Sequence, residues 1–210
     1  MRSFTARCAS SVALAIATLM LGACDKAGGE SGQMMLSPAK SPFKNTDVTG
    51  LDYAKDFALT DHNGKLRTLG DFKGKAVVVF FGYTQCPDVC PTTMSEMAAV
   101  MQQLGPLADK VQVLFISVDP ERDKPELLAQ YVPAFDPRFL GLVGDKAATD
   151  KVAQEFRVFY QKVPGKEPGS YTMDHTAGSY VFDPQGRIRL FVRHGQGAEP
   201  IAHDLKLLLS

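Results

Sequence analysis

Two uninterrupted apolar runs constrain this chain more than any other feature: "KAVVVFF" at 75–81 and "VQVLFISVD" at 111–119. A strand with one wet face alternates apolar and polar residues. These runs do not alternate, and their β-branched and aromatic content asks for cover on both faces. Between them, Met94, Met97, Ala98, Met101 and Leu104 recur at helical spacing, so that methionine stripe reads as core packing. Strand, helix, strand predicts an α/β fold with a central sheet flanked by helices. Upstream, "DFALTDHNGKLRTL" has two short strand-like runs around Asn63-Gly64, an N-terminal β-hairpin. Downstream, Pro125 opens a helix over Leu127–Phe135, and a second helix spans Ala147–Phe156. "GSYVFDPQGRIRLFV" is a hairpin through a type I turn at Asp183–Gly186, with Ile188, Leu190 and Val192 alternating. A helix over Ile201–Leu209 closes the chain. The late hairpin makes the sheet mixed.

The first 24 residues are not part of that fold. Arg2 and Arg7 precede an uncharged, mostly apolar run over Val12–Ala23, too short for a comfortable membrane span. "LGAC" then resembles a bacterial lipobox, which predicts a signal peptide over 1–23 and a lipid-modified Cys24. Asp25 resembles the residue that retains such lipoproteins at the inner membrane, so the expected location is its periplasmic face. Residues 24–45 are rich in Gly, Ser, Pro and Lys and read as a flexible tether with a reach of about 25–30 Å. Met34 and Met35, adjacent in that tether, read as incidental. The folded domain is expected over 46–210, as a monomer. The chain carries 23 basic and 23 acidic residues, and losing Arg2 and Arg7 takes the mature charge to about −2. Nothing in that balance points to nucleic acid.

Of the four cysteines, Cys8 leaves with the signal and Cys24 is the anchor, so Cys86 and Cys90 are the thiols of the domain. They follow the first long strand, at the end of the sheet where α/β proteins collect reactive groups. A helix start there favours thiolate over thiol. Asp88 can cap one start, and Thr93 with Glu96 can form a capping box for a later one. If 86–90 is helical, the two Cα atoms stand about 6 Å apart with both sulfurs on one face. That spacing allows a disulfide or a metal grip and does not choose between them. It is one residue longer than a thioredoxin-type C-x-x-C, and the pair lacks the following His of a c-type haem site. A structural zinc site wants four ligands, so a histidine would have to come from afar. Among the four histidines, His62 sits in the predicted hairpin turn and is expected in solvent. His194 follows an edge strand and His203 lies in the last helix. His175 lies in "SYTMDHTAGSYVF", a loop leading into a strand; in a thioredoxin-like sheet that loop faces the first helix.

"FFGYTQCPDVCPTTMSEM", "SVDPERD" and "YTMDHTAGSYVFDPQG", in this order and spacing, resemble the Sco/SenC family of copper-binding proteins. "TDVTGLDYAKDFALTD" and "DFKGKAVVVFFG" fit it too, so the likeness runs from about residue 45 to the C-terminus. The resemblance implies a membrane-anchored thioredoxin-like domain that helps build the CuA centre of cytochrome c oxidase. It implies copper, Cu(I) or Cu(II), held by Cys86, Cys90 and His175. Two thiolates and one imidazole suit Cu(I), while Cu(II) asks for a fourth donor, for which water and Asp174 are candidates. Asp174 can equally orient His175. Asp119 and Asp123, with Arg122, are expected at the same end of the sheet, as a loop-closing ion pair and helix cap or as part of partner docking. The expected partner is the oxidase copper-site subunit or another copper protein. A thiol–disulfide oxidoreductase or redox sensor using Cys86 and Cys90 is the alternative. It needs the cysteines but not His175. A peroxidase reading fails on the missing peroxiredoxin proline before "TQC".

Overall fold

The computed structural model of the chain describes residues 41–210. The signal over 1–23, Cys24 and the tether up to residue 40 lie outside the described residues. Among the described residues the strands are β1 (Thr46–Asp47), β2 (Leu59–Asp61), β3 (Leu66–Arg67), β4 (Ala76–Gly82), β5 (Val111–Ser117), β6 (Leu140–Val143), β7 (Tyr160–Pro164), β8 (Tyr171–His175), β9 (Gly178–Phe182) and β10 (Ile188–Arg193). The helices are α1 (Val89–Leu104), α2 (Pro125–Tyr131), α3 (Lys146–Glu155) and α4 (Ala198–Leu208).

Eight strands form one mixed sheet in the order β1-β10-β9-β4-β5-β6-β2-β3, while β7 and β8 pair as a separate two-stranded sheet. The two apolar runs are its centre. β4 and β5 are parallel, with Val78 opposite Val113 and Gly82 opposite Ser117. Every residue of both strands is buried, as non-alternating sequences require. β9 joins β4 antiparallel, which makes the sheet mixed as expected. α1 supplies the cover: Met94, Met97 and Met101 are buried, and the helix also packs on α4. At about 1.5–3 kcal/mol for each large side chain removed from water, Phe80, Phe81, Phe115 and these methionines anchor the fold.

Several boundaries differ from the sequence reading. The helix expected over Leu127–Phe135 starts at Pro125, whose ring suits a first helical position, and ends at Tyr131. The N-terminal hairpin is two very short strands, and β2 gains its second partner from β6 through Thr60 and Val143. β10 is not an edge strand, because β1 pairs along it with Thr46 opposite Phe191. The folded body also begins before residue 46. The backbone amides of Lys44 and Asn45 donate to the buried Asp204 carboxylate at 2.9 and 2.8 Å, and Asn45 Nδ2 adds a bond at 2.9 Å. Burial alone would raise the Asp204 pKa; the hydrogen bonds it accepts outweigh that and hold it below the usual carboxylate range.

Candidate metal centre

β4 delivers the chain to the site and must end without a side chain. A Cβ on Gly82 would lie 2.9 Å from Cys90 Sγ and from ring atoms of both Phe80 and Phe115. The next residues turn back, with the Cys86 amide donating to the Tyr83 carbonyl at 3.2 Å. α1 takes the earlier of its two candidate starts. Asp88 is the N-cap residue, though its carboxylate takes a long bond from the Thr92 hydroxyl (3.4 Å) and none from a backbone amide. Thr93 and Glu96 do not cap: Thr93 Oγ1 lies 3.1 Å from His194 Nδ1, and Glu96 accepts from the Gly197 amide.

Cys90 therefore sits in the first turn of α1, and Cys86 precedes the helix. The turn, not a shared helical face, brings the sulfurs together: the Cys90 amide donates to Cys86 Sγ at 3.4 Å. Both cysteines are free thiols, Cys90 fully buried and Cys86 half-buried. Burial pushes the Cys90 pKa well above its ordinary value, opposed in part by a hydrogen bond from the Tyr83 backbone. The expected preference for thiolate at a helix start is thus reversed at Cys90. A bound cation is what would make its ionisation favourable. Behind the turn, the wholly buried Asp123 carboxylate accepts from Thr84 Oγ1 and Ser117 Oγ, each at 2.6 Å, and from the Thr84 amide. Burial raises its pKa, and those bonds offset only part of the rise.

His175 is not in a loop. It is the last residue of β8, in register with Tyr160 of β7. Its Nε2 lies 3.6 Å from Cys90 Sγ, and its Nδ1 lies 3.2 Å from the Thr176 carbonyl. A carbonyl only accepts, so Nδ1 carries the proton and Nε2 presents its lone pair to the sulfur. Phe80 and Tyr83 flank the ring edge-on at 6.2 and 5.9 Å between centroids. Burial lowers the His175 pKa against the opposing effects of the Thr176 carbonyl and the Asp174 charge, which keeps the imidazole neutral. The ligating atoms of Cys86, Cys90 and His175 all lie within 4.8 Å of one another. Two sulfurs and a neutral imidazole nitrogen this close together are a fitting donor set for a soft, monovalent cation.

The other sequence candidates fall elsewhere. Asp174 is exposed and one strand position from His175, so the two side chains leave β8 on opposite faces. The hydrogen bond that orients the imidazole goes to Thr176. Asp119 is buried beyond β5, bonded to Arg122 and, at 2.9 Å, to the Tyr171 hydroxyl. His62 is half-buried, not free in solvent: its Nδ1 accepts from the Gly141 amide at 3.0 Å. His203 pairs with Asp204. Gly82, Phe80 and Tyr83 were missed as site residues. The glycine closing an otherwise bulky strand was the available signal for the first.

The chain is similar to proteins of one family. The SCO1/SenC family description matches residues 46–210. The SCO2 homolog of Bos taurus mitochondria is 39% identical over 153 residues, covering 72% of this chain and 58% of that protein. The chain thus matches somewhat over half the length of that relative. Among solved structures, Bradyrhizobium japonicum ScoI with copper bound is 49% identical with a TM-score of 0.68, covering 73% of this chain and 98% of that one. Apo Sco1 from Thermus thermophilus is 41% identical with a TM-score of 0.72, covering 81% and 99%. With a family match over nearly the whole described body and relatives of this similarity, the chain belongs to the SCO1/SenC family.

Proposed function

We propose that this protein carries copper, binding one ion through Cys86 Sγ, Cys90 Sγ and His175 Nε2 and passing it to the copper-site subunit of cytochrome c oxidase or to another copper protein. The observation that carries the reading is the convergence of three soft or borderline donors within 4.8 Å, with the imidazole already in its coordinating tautomer. Thiolates favour Cu(I), and a three-donor site leaves room for an incoming ligand, which hand-over by ligand exchange requires. A half-buried Cys86 beside a fully buried Cys90 gives the exchange a side from which to begin.

Copper titration of the wild type and of Cys86→Ser, Cys90→Ser and His175→Ala tests the reading. The expected result is one copper per wild-type chain and loss of tight binding in each variant. Stoichiometric, tight copper retained by Cys86→Ser would falsify it. A second reading, thiol–disulfide exchange with the cysteines of an apo copper-site subunit, is favoured by the free state and closeness of the two sulfurs. It survives His175→Ala, whereas copper retention does not. For placement, the proposal is a periplasmic domain held at the inner membrane by a lipid on Cys24. Among the described residues no helix is long and apolar enough to cross a membrane. Release of the protein from membranes by Cys24→Ser is the expected outcome.

A further inference from the structure

Three separate segments meet around the metal centre, and one guanidinium touches all of them. Arg122, in the turn after β5, donates through Nη1 to Gln85 Oε1 at 2.9 Å and to the Tyr171 carbonyl at 3.0 Å. Its Nε donates to the buried Asp119 carboxylate. Its plane lies over the Tyr171 ring, with Cζ 3.6 Å from the centroid, and the Tyr171 hydroxyl closes the circuit onto Asp119 at 2.9 Å. Gln85 is the neighbour of Cys86, and Tyr171 opens the strand that ends in His175.

We propose that Arg122 is a positioning residue: it holds the β7–β8 hairpin, and through it the His175 imidazole, in register with the cysteine pair. The inference rests on the copper reading and adds to it the device that sets where the third donor stands. The hairpin's other holds lie along it: Tyr160, opposite His175, donates to Asp150 of α3, and Tyr160 and Tyr171 pack partly on the core, but of these holds Arg122 alone also reaches the cysteine segment. Met173 is the one buried residue of its two strands. The Lys162–Glu121 pair is solvent-exposed, a class of ion pair that contributes little. Arg122, by contrast, is largely buried, and it combines a charge-assisted bond, a neutral bond to each neighbouring segment and aromatic stacking. Leverage explains why the anchor matters. Tyr171 and His175 are separated by about 13 Å of strand, so a tilt of ~10° at the anchor moves the ring about 2 Å. That is as long as a metal–nitrogen bond. Lysine cannot substitute, because a point charge offers neither the fork nor the stacking plane.

A double-mutant cycle on the full chain tests this, reading Cu(I) affinity by competition with a chromophoric chelator. Arg122→Met keeps most of the side-chain volume and removes the donors. The expected loss is about 10–100-fold, the range for groups that orient a metal-bound histidine. In a His175→Ala background the same substitution should change affinity by less than about twofold, because the residue it positions is gone. On the copper(II) form, imidazole nitrogen coupling in the paramagnetic resonance spectrum should fade in Arg122→Met, as in His175→Ala. Gln85→Ala, at an exposed side chain that the core does not need, should weaken binding in the wild-type background and not in His175→Ala. Undiminished losses in the His175→Ala background, or wild-type affinity in Arg122→Met beside a weakened His175→Ala, overturn the positioning role alone. Wild-type affinity in His175→Ala overturns the copper reading and this one with it.

Discussion

Gly82→Ala puts the closeness of fold and site to a direct test. One added methyl would start 2.9 Å from Cys90 Sγ, from Phe80 and from Phe115. Comfortable carbon contacts begin near 3.5–4.0 Å, so each neighbour must give by roughly 0.6 Å or more. Neither ring has room to move: Phe80 and Phe115 are completely buried, and both continue into the core of the sheet. Overpacking of this kind typically destabilises by about 1–3 kcal/mol. In a chain of this size that lowers the midpoint of thermal unfolding by about 2–4 °C per kcal/mol. The sulfur at the first turn of α1 is the one of the three groups that would bind copper, and its displacement should weaken copper binding by more than about tenfold. Gly144→Ala is the control. Its Cβ meets Ala148 and Leu59 at 2.8 Å, a similar crowding that touches neither sulfur, two strands over beyond β6. It should lower the unfolding midpoint while leaving copper affinity unchanged. Equal stability and affinity in Gly82→Ala and wild type would refute the reasoning, as would equal losses of affinity in Gly82→Ala and Gly144→Ala.

Two further outcomes follow from groups away from the site. Asp204→Asn should destabilise the protein by about 1–3 kcal/mol at neutral pH, seen as a lower urea midpoint, because a buried acceptor of four hydrogen bonds is weakened. Its depressed pKa contributes stability present above the unfolded carboxylate value near 3.9 and lost as pH falls through the lower folded value. The variant should therefore show a flatter acid limb in stability against pH. His62→Ala strands the Gly141 amide and should cost about 1–3 kcal/mol by the same measurement, with copper stoichiometry kept at the wild-type value.

What the sequence made legible tracks how much apolar burial each element has. β4, β5 and α1 were plain, because "AVVVFFG", "VQVLFIS" and the methionine spacing are wholly committed to the core. β7 and β8 were invisible for the opposite reason. "YQKVP" and "YTMDH" bury a single methionine between them, so neither alternation nor an apolar run marks them. β6 is four residues with a glycine, too short to show a period. The two cysteines stood out by count and position and His175 by its place before a strand; their joint role as ligands came from family resemblance, because spacing alone left disulfide and metal open. The sequence left the helix start open, with the sulfurs on one helical face only if 86–90 were helical; the chain turns before the helix and a backbone amide gathers them. Asp119 and Arg122, expected either as a loop-closing ion pair and helix cap or as part of partner docking, do form an ion pair. Their reach to Gln85 and Tyr171 joins residues up to 52 positions apart, and no local pattern carries that information.

The pair of sulfurs belongs to the eight-stranded body, while the imidazole arrives on a two-stranded appendage. On the copper reading, opening the pocket asks the outlying piece to swing, and Met173 is the one buried side chain of its strands that would leave the core. On that reading, cargo would leave while the eight-stranded sheet stays paired. It also follows that a covalent clasp between the appendage and the body would turn a carrier into a vault.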